Sequence, residues 1–440
     1  MRPRRLAIAA FLIPCFAAPT LSNAQPCDYD PVVEIAQGIV DDAFLVTGAS
    51  VWIDTPIHSQ STYLGDHTSD TVIAIASASK LVSAVAILTL VDDGLIDLDV
   101  ALSSYLPQFT GSKGTMTVRQ MFSHTSGLPG GSSWGVLSDD TITLAEAANE
   151  IACCIDLAAP PGTQFDYGGL SMHVTGRVAE VVTGQDWSTL FAERVAVPLG
   201  LANTDYFAFG PTLNPRIAGG VRTSLADYGT ILRMLRDGGV FDGVTILSPA
   251  AIAEMFADQT FGVPIVGTPA PPGVRYGLGC WRDVVAPDGS AIRISSPGAF
   301  GFTPWIELDV DLAGILMVLY SYQQVADDAV AMQEAARSEA LTCNPATPRF
   351  ERGDSNDDSE VDVADVVNLL SYLFDGAGSA PGCLDARDAN DDGAVNVADA
   401  VRILAYLFGE PSIPLPGPGA TCGVDASGDG LGCESYSSCP

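Results

Sequence analysis

Among 440 residues the chain has two lysines and four histidines, set against 53 acidic side chains and a formal net charge of −33. Cations this scarce exclude a phosphate-binding face for nucleic acid or for an anionic membrane. Imidazole chemistry is confined to His58, His67, His124 and His173, and no G-x-S-x-G elbow is read beside them. His124, within FSHTSGLPGG, reads as the holder of a turn, and His58 and His67 as solvated groups at strand or loop ends. Long apolar runs are also missing: beyond the N-terminal stretch none reaches the ~18 residues that a spanning helix needs.

That N-terminal stretch has Arg2, Arg4 and Arg5, an apolar core from Leu6 to Ala18, and Ser22-Asn23-Ala24 as a small-x-small cleavage site. Residues 1–24 therefore read as a signal peptide, and the expected location is secreted or periplasmic. The remainder exceeds one ordinary core, so two or more domains are expected. We delimit a large domain at 25–345, a small module at 346–410 and a Pro/Gly/Cys-rich tail at 411–440.

Export permits disulfides. Nine of the ten cysteines lie beyond Cys15, an odd number that leaves at least one thiol unpaired within the chain. Cys27 and Cys343 bracket the large domain and suggest a bridge. Cys383, Cys422, Cys433 and Cys439 allow three pairings, and the adjacent Cys153 and Cys154 are not expected to pair with each other.

What the chain does have is one lysine inside its most hydrophobic helical stretch, TVIAIASASKLVSAVAILTLVDDG at 71–94. Leu81, Val82, Val85, Leu88 and Val91 recur at helical spacing, and Asp92-Asp93-Gly94 supplies a stop. Burial strips the Lys80 ammonium of water and lowers its pKa, which makes it a usable base. Ser77 lies one helical turn back on the same face, where backbone N–H groups favour a developing anion. A nucleophile, a base and an anion site fall within four residues.

Strands are expected over Ala43–Leu64, two joined at Pro56, and over Tyr276–Tyr320, three more. Mostly helical segments fill 77–260, and a last amphipathic helix covers Val325–Leu341. Strands at both ends with helices between imply an α/β sandwich with an all-α subdomain.

The ordered segments TVIAIASASK, GLIDLDVALSSYLPQF, VRQMFSHTSGLPGG, FDYGGLSMHVTGRVAEVVTG, GGVRTSLADYGTILRMLRDGG, YGLGCW and SSPGAFGFTPWIELD resemble the class C β-lactamase-like serine hydrolases. That superfamily includes penicillin-binding D-alanyl-D-alanine peptidases and related carboxylesterases, and the resemblance covers roughly Pro31 to Leu341. It implies a β-lactamase-like antiparallel sheet flanked by helices, Ser77 as acylated nucleophile, Lys80 as proton acceptor and Tyr167 as the tyrosine of the Y-x-N motif. It also implies an oxyanion site from the N–H groups of Ser77 and Ala299, with Gly298 letting the strand come close to the substrate. The chain departs from the pattern twice: the third motif is Ser296-Pro297-Gly298, without lysine or histidine, and Gly169 replaces the Y-x-N asparagine. Arg293, at an odd separation along the strand, points away. Acyl-transfer machinery without a carboxylate clamp reads as an exported serine hydrolase of carboxylic esters, no cofactor being required for that chemistry. The alternatives are a β-lactamase or D-alanyl-D-alanine peptidase, or a non-catalytic binder whose small module does the work.

In that module Asp354, Asn356, Asp358, Asp362 and Asp365 stand at positions 1, 3, 5, 9 and 12 of a loop, and Asp388, Asn390, Asp392, Asn396 and Asp399 repeat them 34 residues on. Oxygen ligands at those positions, with backbone carbonyls at Glu360 and Ala394, form the EF-hand arrangement for two Ca²⁺ ions. The paired loops, each followed by a helix, resemble a type I dockerin, a small all-α module, which implies docking to a cohesin-like partner through Val363-Ala364 and Val397-Ala398. Ser359 replaces the sharp-turn glycine that the second loop keeps as Gly393, so the first site is expected to be the weaker.

Overall fold

The computed structural model describes residues 27–42, 45–131, 134–287, 289–343, 350–375, 382–409, 413–419, 422–423, 431–433, 436 and 438–439. The expected signal segment lies outside them. Helix α1 (Asp30–Asp42) is followed by strands β1 (Gly48–Thr55) and β2 (His58–Gly65). Helices α2 (Ser79–Asp92), α3 (Leu144–Cys154), α4 (Leu170–Thr183) and α5 (Leu225–Arg236) come next, and then strands β3 (Arg275–Tyr276), β4 (Trp281–Val285), β5 (Ala291–Ser295), β6 (Thr303–Glu307) and β7 (Leu312–Val318). Helix α6 (Tyr322–Cys343) closes this region, and α7 (Val363–Asp375) and α8 (Val397–Phe408) follow.

The seven strands form one antiparallel sheet in the order β2-β1-β7-β6-β5-β4-β3. Chain ends therefore meet at its centre, as the sequence implies. Both faces are covered, which is why β1 and β7 are buried along their whole length and β7 reads as a continuous apolar run. Val51, Ile53, Leu312 and Leu316 pack with α1 and α6, whereas Trp52, Ala313, Ile315 and Met317 join the larger core with α2 and α5. This period-two division fixes the register, since a slip of one residue would exchange the two cores.

Several expectations need correction. Five strands, not three, occupy the C-terminal half of the sheet, because β3 is two residues long and the β4/β5 pairing shifts register and breaks the alternation. The helical region is not purely helical: two-stranded ribbons pair Val72–Ala74 with Arg222–Ser224, Phe165–Asp166 with Ile265–Gly267, and Val240–Phe241 with Val244–Thr245. Helix α1 was not foreseen, although Val32, Ala36 and Ile39 give it an apolar stripe. Cys153 and Cys154, expected to stay apart, are bonded to each other. They occupy the last two positions of α3, where the chain leaves the helix for an extended Ile155, and the bond closes across one peptide with Cα atoms 3.8 Å apart.

Cys27 is joined to Cys343, tying the start of α1 to the end of α6. In the C-terminal region the pairs are Cys383–Cys433 and Cys422–Cys439. Among the described residues Cys280, buried, is the free cysteine. No helix among them is long and apolar enough to cross a membrane.

Candidate active site

The ribbon strand Val72–Ala74 leads into a one-turn 3₁₀ helix, Ala76–Ala78, and then into α2. Ala76 has a left-handed φ of 44°, a conformation that a non-glycine residue holds only when its surroundings impose it. They do so here: Ile75 N–H donates to Val221 O (3.0 Å), Tyr228 Oη donates to Ala78 O (2.9 Å), and Val221 N–H donates to Ser79 Oγ (3.0 Å). Ser79 through Leu90 are all buried, so α2 is a fully interior helix with no polar face.

Lys80 is therefore 1% exposed, with Nζ 3.0 Å from Ser77 Oγ, 2.9 Å from the Ala218 carbonyl to which it donates, and 4.6 Å from the centre of the Tyr167 ring. Burial pulls its pKa down to about 7, so near neutrality much of the amine is uncharged. Tyr167 is hydrogen-bonded with Ser77, yet burial raises its phenol to about 12 and keeps it protonated. Its ring stacks on Trp281 at 5.1 Å. Sequence brings serine and lysine together, and the fold adds the phenol from a segment 90 residues on.

His124 holds a turn, and the turn it holds carries Tyr167. Its carbonyl accepts Asp166 N–H (2.9 Å) and its Nδ1 accepts Gly168 N–H (3.4 Å), so the residues on both sides of the phenol are fixed to one residue, one through its backbone and one through its imidazole. Its ring lies 4.6 Å from that of Tyr167. Burial, and then the nearby Lys80 charge, hold its pKa well below the usual imidazole value, and its buried Nε2 has no partner. His173 is bound to Asn214 Oδ1 (2.7 Å). His67 corrects the sequence reading: it is half-buried, with Nδ1 2.9 Å from Ser50 Oγ, and burial depresses its pKa. His58 Nε2 lies 3.3 Å from Gln60 Oε1, and its ring packs on Tyr29.

The third-motif segment also reaches the serine. Ser296 Oγ donates to the carbonyls of Ser77 and Gly279, each at 3.4 Å. A Cβ on Gly298 would lie 2.0 Å from Ile75 O and 3.4 Å from Ala78 N. Glycine is thus required so that the strand end can pack against the nucleophile's own turn; the sequence reading had assigned that closeness to the substrate. Ala299 follows, exposed, with its carbonyl taken by Tyr322 N–H at 3.1 Å. Arg293 faces the other side of the sheet, paired with buried Glu307 and with Glu334 of α6. A Cβ at Gly169 would stand 2.8 Å from Leu137 Cδ1, so an apolar side chain occupies the space an amide would take.

Gly131-Ser132-Ser133-Trp134-Gly135 has the G-x-S-x-G spacing, but Ser132 and Ser133 lie outside the described residues and a 3₁₀ turn at Gly135–Leu137 follows. No named strand runs into it. A cavity lined by Thr89, Asp92, Glu193, Arg194 and Ser248 lies at the far end of α2 and contains none of the residues above.

The two acidic loops share one internal hydrogen-bond scheme. Asp354 accepts the N–H groups of Asp357, Asp358 and Ser359, and Asp388 those of Asp392 and Gly393. Asp365 accepts from Ser355, Asn356 and Asp362, and Asp399 from Asn390 and Asn396. The sharp-turn positions are left-handed in both loops, Ser359 at φ 73° and Gly393 at φ 78°, so the serine bears strain that the glycine does not. The donor set is all oxygen, and the buried Asn356 Oδ1 has no partner, as suits a hard divalent cation. One difference stands out: Tyr436 Oη donates to Asp354, and Ser438 N–H donates to Asp357 at 2.8 Å, so the C-terminal segment reaches the first loop. Glu351 lies near Cys422 and Cys439, but those sulfurs are bonded together and offer no thiolate.

A family model described as Beta-lactamase matches residues 58–337. A Bacteroides dorei DSM 17855 structure named for a beta-lactamase is 31% identical, with a TM-score of 0.64 over 72% of this chain and 99% of that one. The structure of EstCE1, described as a hydrolase with promiscuous acyltransferase activity, shares the fold at 20% identity and a TM-score of 0.58, covering 70% of this chain and 97% of that one. Among curated proteins, Penicillin-binding protein 4 of Amycolatopsis lactamdurans is 29% identical over 43% of this chain. The match spans 57% of that relative's length.

Proposed function

Because the chain belongs to the Beta-lactamase family, whose members are serine hydrolases, we propose that it hydrolyses carboxylic esters through an acyl-enzyme on Ser77. The carrying observation is a water-shielded amine at hydrogen-bond distance from the serine oxygen. Uncharged Lys80 takes the Ser77 proton as Oγ attacks the acyl carbon. The N–H groups of Ser77 and Ala299 receive the developing oxyanion, each worth about 3 kcal/mol in the transition state. Tyr167, too weak an acid to serve as a phenolate base, passes its proton to the leaving alkoxide and is reprotonated from Lys80. Water then enters, loses its proton to Lys80 and releases the acid, restoring Ser77.

Ester substrates are favoured over β-lactams or peptides because Ser296 holds the motif position of a lysine or histidine and Leu137 fills the amide position. Fluorophosphonate labelling compared between the native protein and Ser77→Ala, beside a short-chain ester panel and a chromogenic cephalosporin, tests the reading. Label and ester turnover that depend on Ser77 are expected. Cephalosporin turnover exceeding ester turnover returns the protein to the β-lactamases, and neither label nor turnover leaves a non-catalytic binder.

The acidic loops form a calcium module in the same reading. Asp354, Asn356, Asp358, the Glu360 carbonyl, Asp362 and Asp365 would hold one ion, and Asp388, Asn390, Asp392, the Ala394 carbonyl, Asn396 and Asp399 a second. Bound Ca²⁺ supplies charge compensation to carboxylates crowded on short loops. Val363, Val367 and Phe374 on α7 and Val397, Val401 and Phe408 on α8 are exposed in matching positions, which supports a dockerin-like surface for a cohesin-like partner. A disulfide that joins the two ends of the hydrolase region supports export. Loss of helical circular dichroism on adding chelator is expected; an unchanged spectrum would remove calcium from the account.

A further inference from the structure

Two aromatic side chains remain outside the chemistry above, on the two segments that flank Ser77. Phe300 follows Ala299 directly. Phe209 lies on the loop that returns to the nucleophile: Ala208 N–H bonds Gly220 O at 3.1 Å, Ala218 O accepts Lys80 Nζ at 2.9 Å, and a Cβ at Gly219 would lie 3.8 Å from Ala76 O. Phe209 and Phe300 meet edge to face with ring centres 6.4 Å apart, so these segments join in an aromatic contact beside the serine.

Phe209 is 47% exposed, although it sits in a chain whose other aromatic clusters are largely interior. Its second face is covered by the Arg216 guanidinium, 4.1 Å from the ring centre, while that arginine's ion pair with Asp140 is long at 3.8 Å. The arginine thus holds the ring in place. Toward the interior the wall continues through Ala218, which would lie 3.8 Å from a Cβ at Gly169, to Leu137. The Leu137 side chain takes the place of the missing amide.

We infer that Phe209 and Phe300, backed by Leu137 and Ala218, form an acyl subsite that takes flat aromatic acyl groups, so that the preferred substrates are aryl carboxylic esters. The inference rests on the ester-hydrolase reading above. Aromatic rings gain from edge-to-face or offset contact beyond simple burial, and a short alkyl chain cannot reach both rings. An amide-bearing acyl group finds no side-chain amide at Gly169 to pair with its polar atoms, a mismatch that specificity punishes more severely than a missing methylene.

The experiment holds the leaving group constant and varies only the acyl part. The ratio of kcat/KM for p-nitrophenyl benzoate to that for p-nitrophenyl butyrate is measured in the full chain and in Phe209→Ala and Phe300→Ala, with fluorophosphonate labelling read in parallel. The ratio is expected to fall about tenfold in each variant while Ser77 still labels, the size of a lost hydrophobic contact. A ratio that is unmoved in both variants while labelling persists overturns the subsite and leaves the hydrolase reading standing. Absence of labelling and turnover in the native protein overturns the hydrolase reading and the subsite with it.

Discussion

Lys80 and the carboxylates of the paired loops are both ionisable groups taken out of water, and the molecule treats them in opposite ways. Around Lys80 the partners are a serine hydroxyl, a backbone carbonyl and an aromatic face, and no carboxylate pairs with the amine among its described contacts. Burial therefore acts on it almost unopposed, and the amine sheds its proton near pH 7. Asp354 and Asp388 are just as buried, but each accepts several backbone N–H groups. Among the described residues the lysine meets no opposite charge; the carboxylates meet a ring of N–H donors.

The largest effect should come from breaking the first site. Ser77→Ala is expected to abolish fluorophosphonate labelling and to lower ester turnover by roughly 10⁴-fold or more, as loss of a nucleophile does in other serine hydrolases. Residual turnover within tenfold of native would place the chemistry elsewhere.

His124→Ala should come next, with kcat lowered about 10²-fold, because the Nδ1 acceptor for Gly168 N–H is lost and Tyr167 shifts. Since the role is positional, KM is expected to change less than kcat, and a glutamine that restores the acceptor should recover part of the loss. Equal loss in both variants, together with a lowered Tm, would reduce His124 to a packing residue.

How much of this was legible in the sequence depended on the distance between partners. Ser77 and Lys80 are three residues apart, and a lysine in an apolar helix stands out, so their pairing could be read directly. Arg293 could be turned away by strand parity alone, and Glu307 and Glu334 indeed receive it. The His124 clamp could not be read, because its partners lie more than 40 residues away and meet it through backbone atoms that carry no residue signature. Leu137 filling the place left at Gly169 was hidden for the same reason. The ribbons and β3 are too short for alternation to register, and the Cys153–Cys154 bond depends on local backbone geometry at a helix end.

On the second site, chelator should lower the Tm of α7 and α8 melting by several degrees, in line with linkage to a tightly bound ion. The two loops sharpen the comparison internally. Ser359 sits where Gly393 has no strain, and Tyr436 occupies an oxygen of Asp354, a competitor that Asp388 lacks among the described residues. Calcium titration by calorimetry should therefore resolve a weaker event, lost in Asp354→Ala, and a stronger one, lost in Asp388→Ala, separated by about tenfold in Kd. Identical affinities would mean that neither strain nor the tyrosine matters.

The smallest effect is expected at the second lysine. Lys113 Nζ donates to the carbonyls of Ile151 (3.3 Å) and Ala152 (2.8 Å) at the end of α3, a capping role worth about 1 kcal/mol. Lys113→Met should lower stability by that order in denaturant titration and leave the labelling rate of Ser77 unchanged.

The pH dependence of Ser77 acylation, followed as the pre-steady-state burst with a p-nitrophenyl ester, tests the uncharged amine most directly. Below its folded pKa Lys80 is protonated and cannot accept the serine proton, so the burst rate should rise with pH through an apparent pKa near 7 and level off above it. A burst rate that is flat from pH 5 to 9, or still climbing toward pH 10 as for an ordinary lysine, would contradict the account.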